Sequence, residues 1–247
     1  MNGARLTWLG HATVVVELDG TRLVTDPVLR RRVAHLRRDV PAVTPERPDA
    51  VLLSHLHYDH LDKPSLARLG RHVPILAPPG TRYLLRGFSD VREVKPGASV
   101  QLGSVGVDVV EAHHDGRRRP LGPPIPALGY VVRGSRSVYF AGDTDLFDGM
   151  GSLGPIDVAL VPVAGWGAKL GPGHLDPLAA ARALTLLRPS VAVPIHWGTY
   201  GVIGRPRGDR SPAESFAAEA AAVAPDVDVR ILSVGETLEV DTPSAGR

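Results

Sequence analysis

The sequence predicts an α/β fold, a layered sandwich of sheets and helices, and three observations carry that expectation. Short runs rich in Val, Leu and Ile, of strand length, dominate the first 140 residues. Beyond them the order becomes strand, helix, strand, and then helix and strands again, so both halves are β-rich and both carry helices. Within the 247 residues there is neither a low-complexity linker nor a repeat, so residues 1–247 are expected to form a single domain. A chain of that length buries about 70–75% of its unfolded surface. Apolar residues at 43% and charged residues at 22% are near globular averages and exclude a disordered or fibrous chain.

In chain order, Arg5–Leu18 alternates into the run Val14-Val15-Val16 and reads as strand. Asp19-Gly20 then provides the two-residue spacing of a hairpin into Thr21–Thr25. Ala50–Leu53 is an apolar run of buried-strand type, and Asp62-Lys63-Pro64 opens a short helix that Gly70 stops. Ile75–Ala77, Val105–Ala112, Leu128–Arg133 and Ser137–Ala141 read as further strands, the last two joined at Gly134-Ser135. Val158–Val163 is followed by a helix over Pro177–Leu187, with Asp176 as its N-cap and Pro177 in its first position, and then by the strand Val191–Ile195. Ser211-Pro212-Ala213-Glu214 reads as a capping box that opens an alanine-rich helix ended by Pro225. Strands near Val229–Leu232 and Thr237–Val240 close the chain.

Cysteine is absent, which excludes a disulfide framework, a thiolate nucleophile and iron–sulfur ligation, and leaves His, Asp and Glu as the metal donors. No G-x-x-x-x-G-K-[ST] loop occurs, no G-x-G-x-x-G opens a helix after a strand, and Ser54 lacks a G-x-S-x-G elbow. Nucleotide-binding and serine-hydrolase readings therefore fail. With no signal-type h-region and no apolar run near 18 residues, the expectation is a cytoplasmic chain without a transmembrane segment. Net charge is only +2, but arginine clusters at 30, 31, 32, 37 and 38 and again at 117, 118 and 119. These are either solvated basic loops or a patch for a phosphate-bearing, anionic small molecule. The nucleic-acid signal is weak, because aromatics are 5% and no basic stripe is interleaved with them.

Three of the ten histidines fall within His55-Leu56-His57-Tyr58-Asp59-His60, directly after the strand Ala50–Leu53. For this composition such a hexapeptide arises by chance in about one chain per thousand. If the extended backbone continues past Leu53, His55, His57 and Asp59 share one side and His60 joins them as the turn begins. Imidazoles and a carboxylate suit zinc, with iron(II) or manganese(II) as alternatives, and four donors this close suggest two ions. Further donors stand at other strand ends: His113-His114 after Val105–Ala112, Asp143 after Tyr139-Phe140-Ala141-Gly142, and His196 after Val191–Ile195.

With these motifs the chain resembles the metallo-β-lactamase superfamily. The elements Trp8-Leu9-Gly10-His11-Ala12-Thr13, Thr25-Asp26-Pro27, SHLHYDHLD from Ser54 to Asp62, and Gly142-Asp143-Thr144 are most similar to one branch of it. That branch contains N-acyl-phosphatidylethanolamine-hydrolysing phospholipase D and the ascorbate-6-phosphate lactonases. The resemblance implies a four-layer αββα sandwich of two mixed sheets flanked by helices, with a dinuclear site at one edge. It implies that His55, His57 and His114 hold one divalent ion, that Asp59, His60 and His196 hold the other, and that Asp143 bridges them. His114 is preferred to His113 on the branch pattern, since strand parity does not separate the two. Asp115-Gly116-Arg117 departs from that pattern.

His174, in Gly171-Pro172-Gly173-His174-Leu175-Asp176-Pro177, matches a His-x-Asp-Pro element of the branch and is a catalytic candidate for substrate contact or proton transfer, the alternative being a loop histidine satisfied by its neighbours. Asp59 is the second, as a group that orients water. His11 reads as structural or as a support behind a ligand, and Asp26 either orients an imidazole or caps its turn. His35 and His72 read as surface residues. The activity implied is metal-dependent hydrolysis of a phosphodiester or phosphate-bearing small molecule by a hydroxide held between two ions. A sugar-type lactone is the alternative substrate, and a polyanion-binding protein or nuclease the alternative of another class.

Overall fold

The computed structural model describes residues 3–119, 121–165, 170–204 and 209–241. The amino-terminal part forms β1 (Gly3–Gly10), β2 (Thr13–Leu18), β3 (Thr21–Thr25), β4 (Arg32–Val33), β5 (Leu36–Arg38), β6 (Ala50–Leu52), helix α1 (Lys63–Leu69), β7 (Ile75–Ala77), the single turn α2 (Thr81–Leu84), β8 (Val91–Glu93) and β9 (Ser99–Leu102). There follow β10 (Val105–Asp115), β11 (Pro126–Arg133), β12 (Ser137–Phe140), β13 (Val158–Pro162), α3 (Pro177–Leu187), β14 (Val191–Ile195), β15 (Tyr200–Val202), α4 (Ser211–Val223), β16 (Asp228–Val229) and β17 (Thr237–Asp241).

Two mixed seven-stranded sheets result, in the orders β17-β1-β2-β3-β6-β7-β8 and β16-β14-β13-β12-β11-β10-β9. Each is antiparallel through its hairpins and parallel from β3 to β8 or from β12 to β16. Period-2 alternation sends Val14 and Val16 of β2 into the core shared with Val107, Val109, Tyr130 and Phe140 of the second sheet. Val15 and Val24 point the other way, onto Leu66 and Leu69 of α1. On the far side, Ala180, Ala183 and Leu184 of α3 and Phe216 of α4 pack with Leu160 and Val193. The layers run helix, sheet, sheet, helix, as expected.

The expected caps of two helices are formed: Asp62 accepts from the Ser65 amide and Asp176 from the Ala179 amide. Three local readings need correction. Arg5–Leu18 is not one strand but a hairpin, because Gly10 (φ 100°) and His11 (φ 57°) turn the chain through the left-handed region. A Cβ at Gly10 would stand 2.9 Å from the side chains of Arg38 and Thr199, so only glycine fits there. The capping box at Ser211 does not form. Ser211 is already helical, and its hydroxyl turns back to Asp209 Oδ1 at 2.6 Å instead. The small sheet β15-β5-β4, closed by Val28, Val33, Leu36 and Tyr200, was not anticipated, since its strands are too short to show a period. No helix among the described residues is long and apolar enough to cross a membrane.

Candidate metal centre

The donors predicted from the sequence meet where the strands of both sheets end. His55 follows β6, His114 lies near the end of β10, Asp143 follows β12 and His196 follows β14. The hexapeptide reaches this point by a turn and not, as parity suggested, by continued strand. His60 and Leu61 both donate their amides to the His57 carbonyl. Arg118 gathers the carbonyls of Leu56 and Leu61 on one guanidinium nitrogen, each at 2.8 Å, and so holds the loop curled. The consequence is that His57 sits with His114 while Asp59 and His60 sit with His196.

Among the described residues four groups of donors have their atoms within 4.8 Å of one another: His55, His57 and His114; His11, Asp59, His60 and His196; and two that overlap these, Asp26, His55 and His60, and His114, Asp143 and His174. Asp143 lies against both of the first two, with Oδ2 at 3.9 Å from His55 Nε2 and 3.2 Å from His60 Nε2, and Oδ1 at 3.4 Å from His196 Nε2. Its position depends on Gly142 (φ 61°), where a Cβ would lie 2.5 Å from that of Ser54. His174 reaches the same carboxylate, Nε2 to Oδ2 at 3.6 Å. His114 points inward, with Nε2 3.2 Å from His57 Nδ1, whereas His113 is half-exposed and stacks on Phe147 at 4.2 Å. A register shift between Ala112 and Asp115 separates the two histidines. Parity along the strand could not reveal it.

The outward nitrogens of four of the imidazoles show what the site is built to hold, while His57 turns its Nδ1 toward His114. His114 Nδ1 donates to the Gly173 carbonyl and His196 Nδ1 to the Ala164 carbonyl, both at 2.8 Å. Asp26 takes the Ser54 amide and hydroxyl and faces His60 Nδ1 at 2.6 Å. The Ser54 hydroxyl, having given its proton to Asp26, accepts from His55 Nδ1 at 2.9 Å. Asp26 thus orients an imidazole, one of its two expected roles. With Nδ1 the donor, the lone pair of a neutral ring lies on Nε2 and faces the cleft. His55 Nε2 and Asp143 Oδ1 are buried and have no hydrogen-bond partner. Orphaned acceptors converging at a buried point are a donor set that fits divalent metal ions.

The electrostatics agree. Burial alone would raise the carboxyls of Asp59 and Asp143, yet His60, His11 and His196 around the first, and His196, His60 and His174 around the second, hold both well below the usual range. Burial keeps His55 neutral and brings His57 down to about 4, with neighbouring imidazoles adding to the effect. At His60 burial is outweighed by Asp143, Asp26 and Asp59, which raise it well above the ordinary value.

A cleft of about 660 Å³ opens on these groups, walled by Leu36, Tyr58, Arg118, Leu170 and Pro172. Arg118 belongs to the second arginine cluster noted in the sequence, whereas Tyr58 is a cleft residue that the sequence reading did not single out. The only signal was Tyr58's place inside the hexapeptide, and the ring lies 3.7 Å from the Arg118 guanidinium. His35, expected at the surface, is exposed but borders the cleft, while His72 is a surface residue beside Ser89. Several of the clustered arginines are engaged by other groups of the chain. Arg30 is paired with Asp62, Arg37 with Asp39 and Arg117 with Asp115, and Arg38 is buried on the carbonyls of Val28 and Leu9.

Residues 21–197 match the Beta-lactamase superfamily domain. A UPF0173 metal-dependent hydrolase of Opitutus terrae is 37% identical over 249 residues, covering 96% of this chain and all of that protein. The N-acyl-phosphatidylethanolamine-hydrolyzing phospholipase D 1 of Caenorhabditis elegans is 32% identical over 232 residues, which is 81% of this chain and 65% of the relative. Among solved structures, Igni18, a metallo hydrolase of Ignicoccus hospitalis, is similar with a TM-score of 0.73 and 25% identity, over 96% of this chain and 98% of the other.

Proposed function

Because the chain belongs to the beta-lactamase superfamily and is a metal-dependent hydrolase, we propose that it holds two divalent ions, zinc by preference, and hydrolyses a phosphodiester or another phosphate-bearing small molecule. The observation that carries this reading is the pair of donor groups with Asp143 against both. His55, His57 and His114 would hold one ion, Asp59, His60 and His196 the other, and Asp143 both. Imidazole and carboxylate donors without sulfur suit zinc, then manganese(II) or iron(II). Ions bound there supply Lewis acidity, which makes water a nucleophile near neutral pH and polarises the scissile bond.

The protein's own groups do the rest. Asp59, at the floor of the cleft, accepts a hydrogen bond from the attacking water and orients it. His174 holds a proton on Nε2. Burial opposes that proton, but Asp143 and the carbonyl of Gly171 raise the ring above its ordinary value. From the cleft wall it protonates the leaving oxygen as negative charge develops. Arg117 and Arg118 border the cleft next to His57 and favour an anionic substrate, as does likeness to a phospholipase D.

A lactone is the second reading. One observation favours it: Arg117 is already paired with Asp115, and Leu36, Leu170 and Pro172 give the cleft an apolar wall. Metal analysis coupled to a panel of a bis-aryl phosphodiester, an aryl lactone and a β-lactam tests these choices. We expect phosphodiester turnover that disappears, together with bound metal, in His57→Ala. Turnover of the lactone alone selects the second reading, and undiminished turnover in a verified metal-free protein defeats both.

A further inference from the structure

His11 stands in the turn between β1 and β2 with its backbone in the left-handed region (φ 57°), which residues with a Cβ rarely adopt. Its ring is buried, and Nε2 lies 3.1 Å from Asp59 Oδ2. An ionised carboxylate only accepts, so Nε2 carries the proton and is not itself a donor to a metal. The same ring packs against His196 with centroids 3.9 Å apart. The backbone of His11 is committed to that partner too: its carbonyl accepts from the His196 amide at 2.9 Å and from Trp8 Nε1 at 2.9 Å. Its amide donates to Thr199 Oγ1 at 2.7 Å, and the Arg38 guanidinium holds the neighbouring Leu9 carbonyl.

One residue therefore orients two side chains that lie far apart in the sequence, Asp59 and His196. Both belong to the group assigned above to the second ion. His55, at the first, is oriented instead through Ser54, and His114 through Gly173.

We propose that His11 is a positioning residue for the second metal subsite alone: its Nε2–H fixes the rotation of the Asp59 carboxylate, and its ring and carbonyl fix His196. The inference rests on the two-ion reading. The two subsites then differ in how they are built, and the second can be weakened without the first.

Zinc titration by calorimetry, with elemental analysis of the gel-filtered protein, tests this on the full chain, on His11→Gly and on His11→Gln. Glycine removes the ring while accepting the positive φ; glutamine retains an N–H donor of similar reach. The natural chain should bind two equivalents. His11→Gly should keep the first equivalent at unchanged affinity and bind the second about 10–100-fold more weakly. His11→Gln should recover most of that loss. Two equivalents bound by His11→Gly at natural affinity would overturn the inference and leave the two-ion reading standing. Equal loss of both equivalents in the two variants would overturn it as well, since His11 would then support the fold and not one subsite. Fewer than two equivalents in the natural chain would refute the two-ion reading, and this inference with it.

Discussion

His60 and His196 face one another through their Nε2 atoms at 3.1 Å, while the Nδ1 atoms look outward to Asp26 and to the Ala164 carbonyl. With both Nδ1 protons committed, two neutral rings would set lone pair against lone pair, so the arrangement calls for a positive charge there, a second proton on His60, which its carboxylate neighbours favour, or a metal ion in its place. Asp59 and Asp143 lie within 3.9 Å of the same nitrogens and deepen that demand.

A metal ion should accordingly stabilise the fold. Zinc at a hundredfold excess over its dissociation constant adds about 2.7 kcal/mol, which at about 2–4 °C per kcal/mol for a chain of this size raises the melting temperature by about 5–11 °C. Thermal melts with chelator and with graded zinc measure this. An unchanged midpoint would mean that the donor cluster is not a metal site.

Asp143 is the group common to both donor sets, so Asp143→Ala should lower metal content and reduce turnover by more than about 100-fold, beyond what supporting residues of metal sites cost. Gly142→Ala should have a milder form of the same effect, because its Cβ would push Ser54 or Asp143 aside. Elemental analysis with steady-state kinetics reads both. Full activity in Asp143→Ala would exclude a shared carboxylate.

His174→Gln should leave metal content unchanged and lower the rate by about 10²–10⁴-fold on substrates with poor leaving groups. On a nitrophenolate leaving group, which departs without a proton, the loss should be small. Equal losses on both substrates would argue against proton donation by this ring.

Away from the cleft, Asp157 ties β12 to the start of β13. Burial would raise its carboxyl, but the Ser137 amide and hydroxyl and the Arg136 guanidinium together hold it below the usual carboxylate range. The folded chain thus binds fewer protons than the unfolded one as acid is added. This stabilisation is complete above about pH 4, the unfolded value, and is lost as pH falls through the lowered folded value. Asp157→Asn should cost about 1–3 kcal/mol near neutrality and flatten the acid limb of stability. Urea unfolding between neutral and acid pH measures it, and an unaltered limb would contradict the assignment.

The sequence made much of this legible because its signals are local. Asp62 and Asp176 cap their helices through side chains three residues from the amides they satisfy, and the donors stand at strand ends that alternation marks. What stayed hidden depends on distant contacts. Arg118 curls the hexapeptide from about 60 residues away, so parity along an assumed strand gave the wrong route by which these side chains come together. His11 looked like a strand residue because neither the Arg38 and Thr199 atoms crowding Gly10 nor the turn they accompany has a local signature. Likewise the arginine runs left open whether they are solvated loops or a patch, whereas Arg30, Arg37, Arg38, Arg117 and Arg118 each find a carboxylate or carbonyl that only the folded chain brings near.

Anomalous diffraction at the zinc edge, from crystals of the metal-loaded protein, tests the central claim most directly. Two peaks are predicted, one at about 2.0–2.2 Å from nitrogens of His55, His57 and His114, the other at that distance from Asp59, His60 and His196, with Asp143 in reach of both. A single peak, or peaks lying away from these seven side chains, would contradict it.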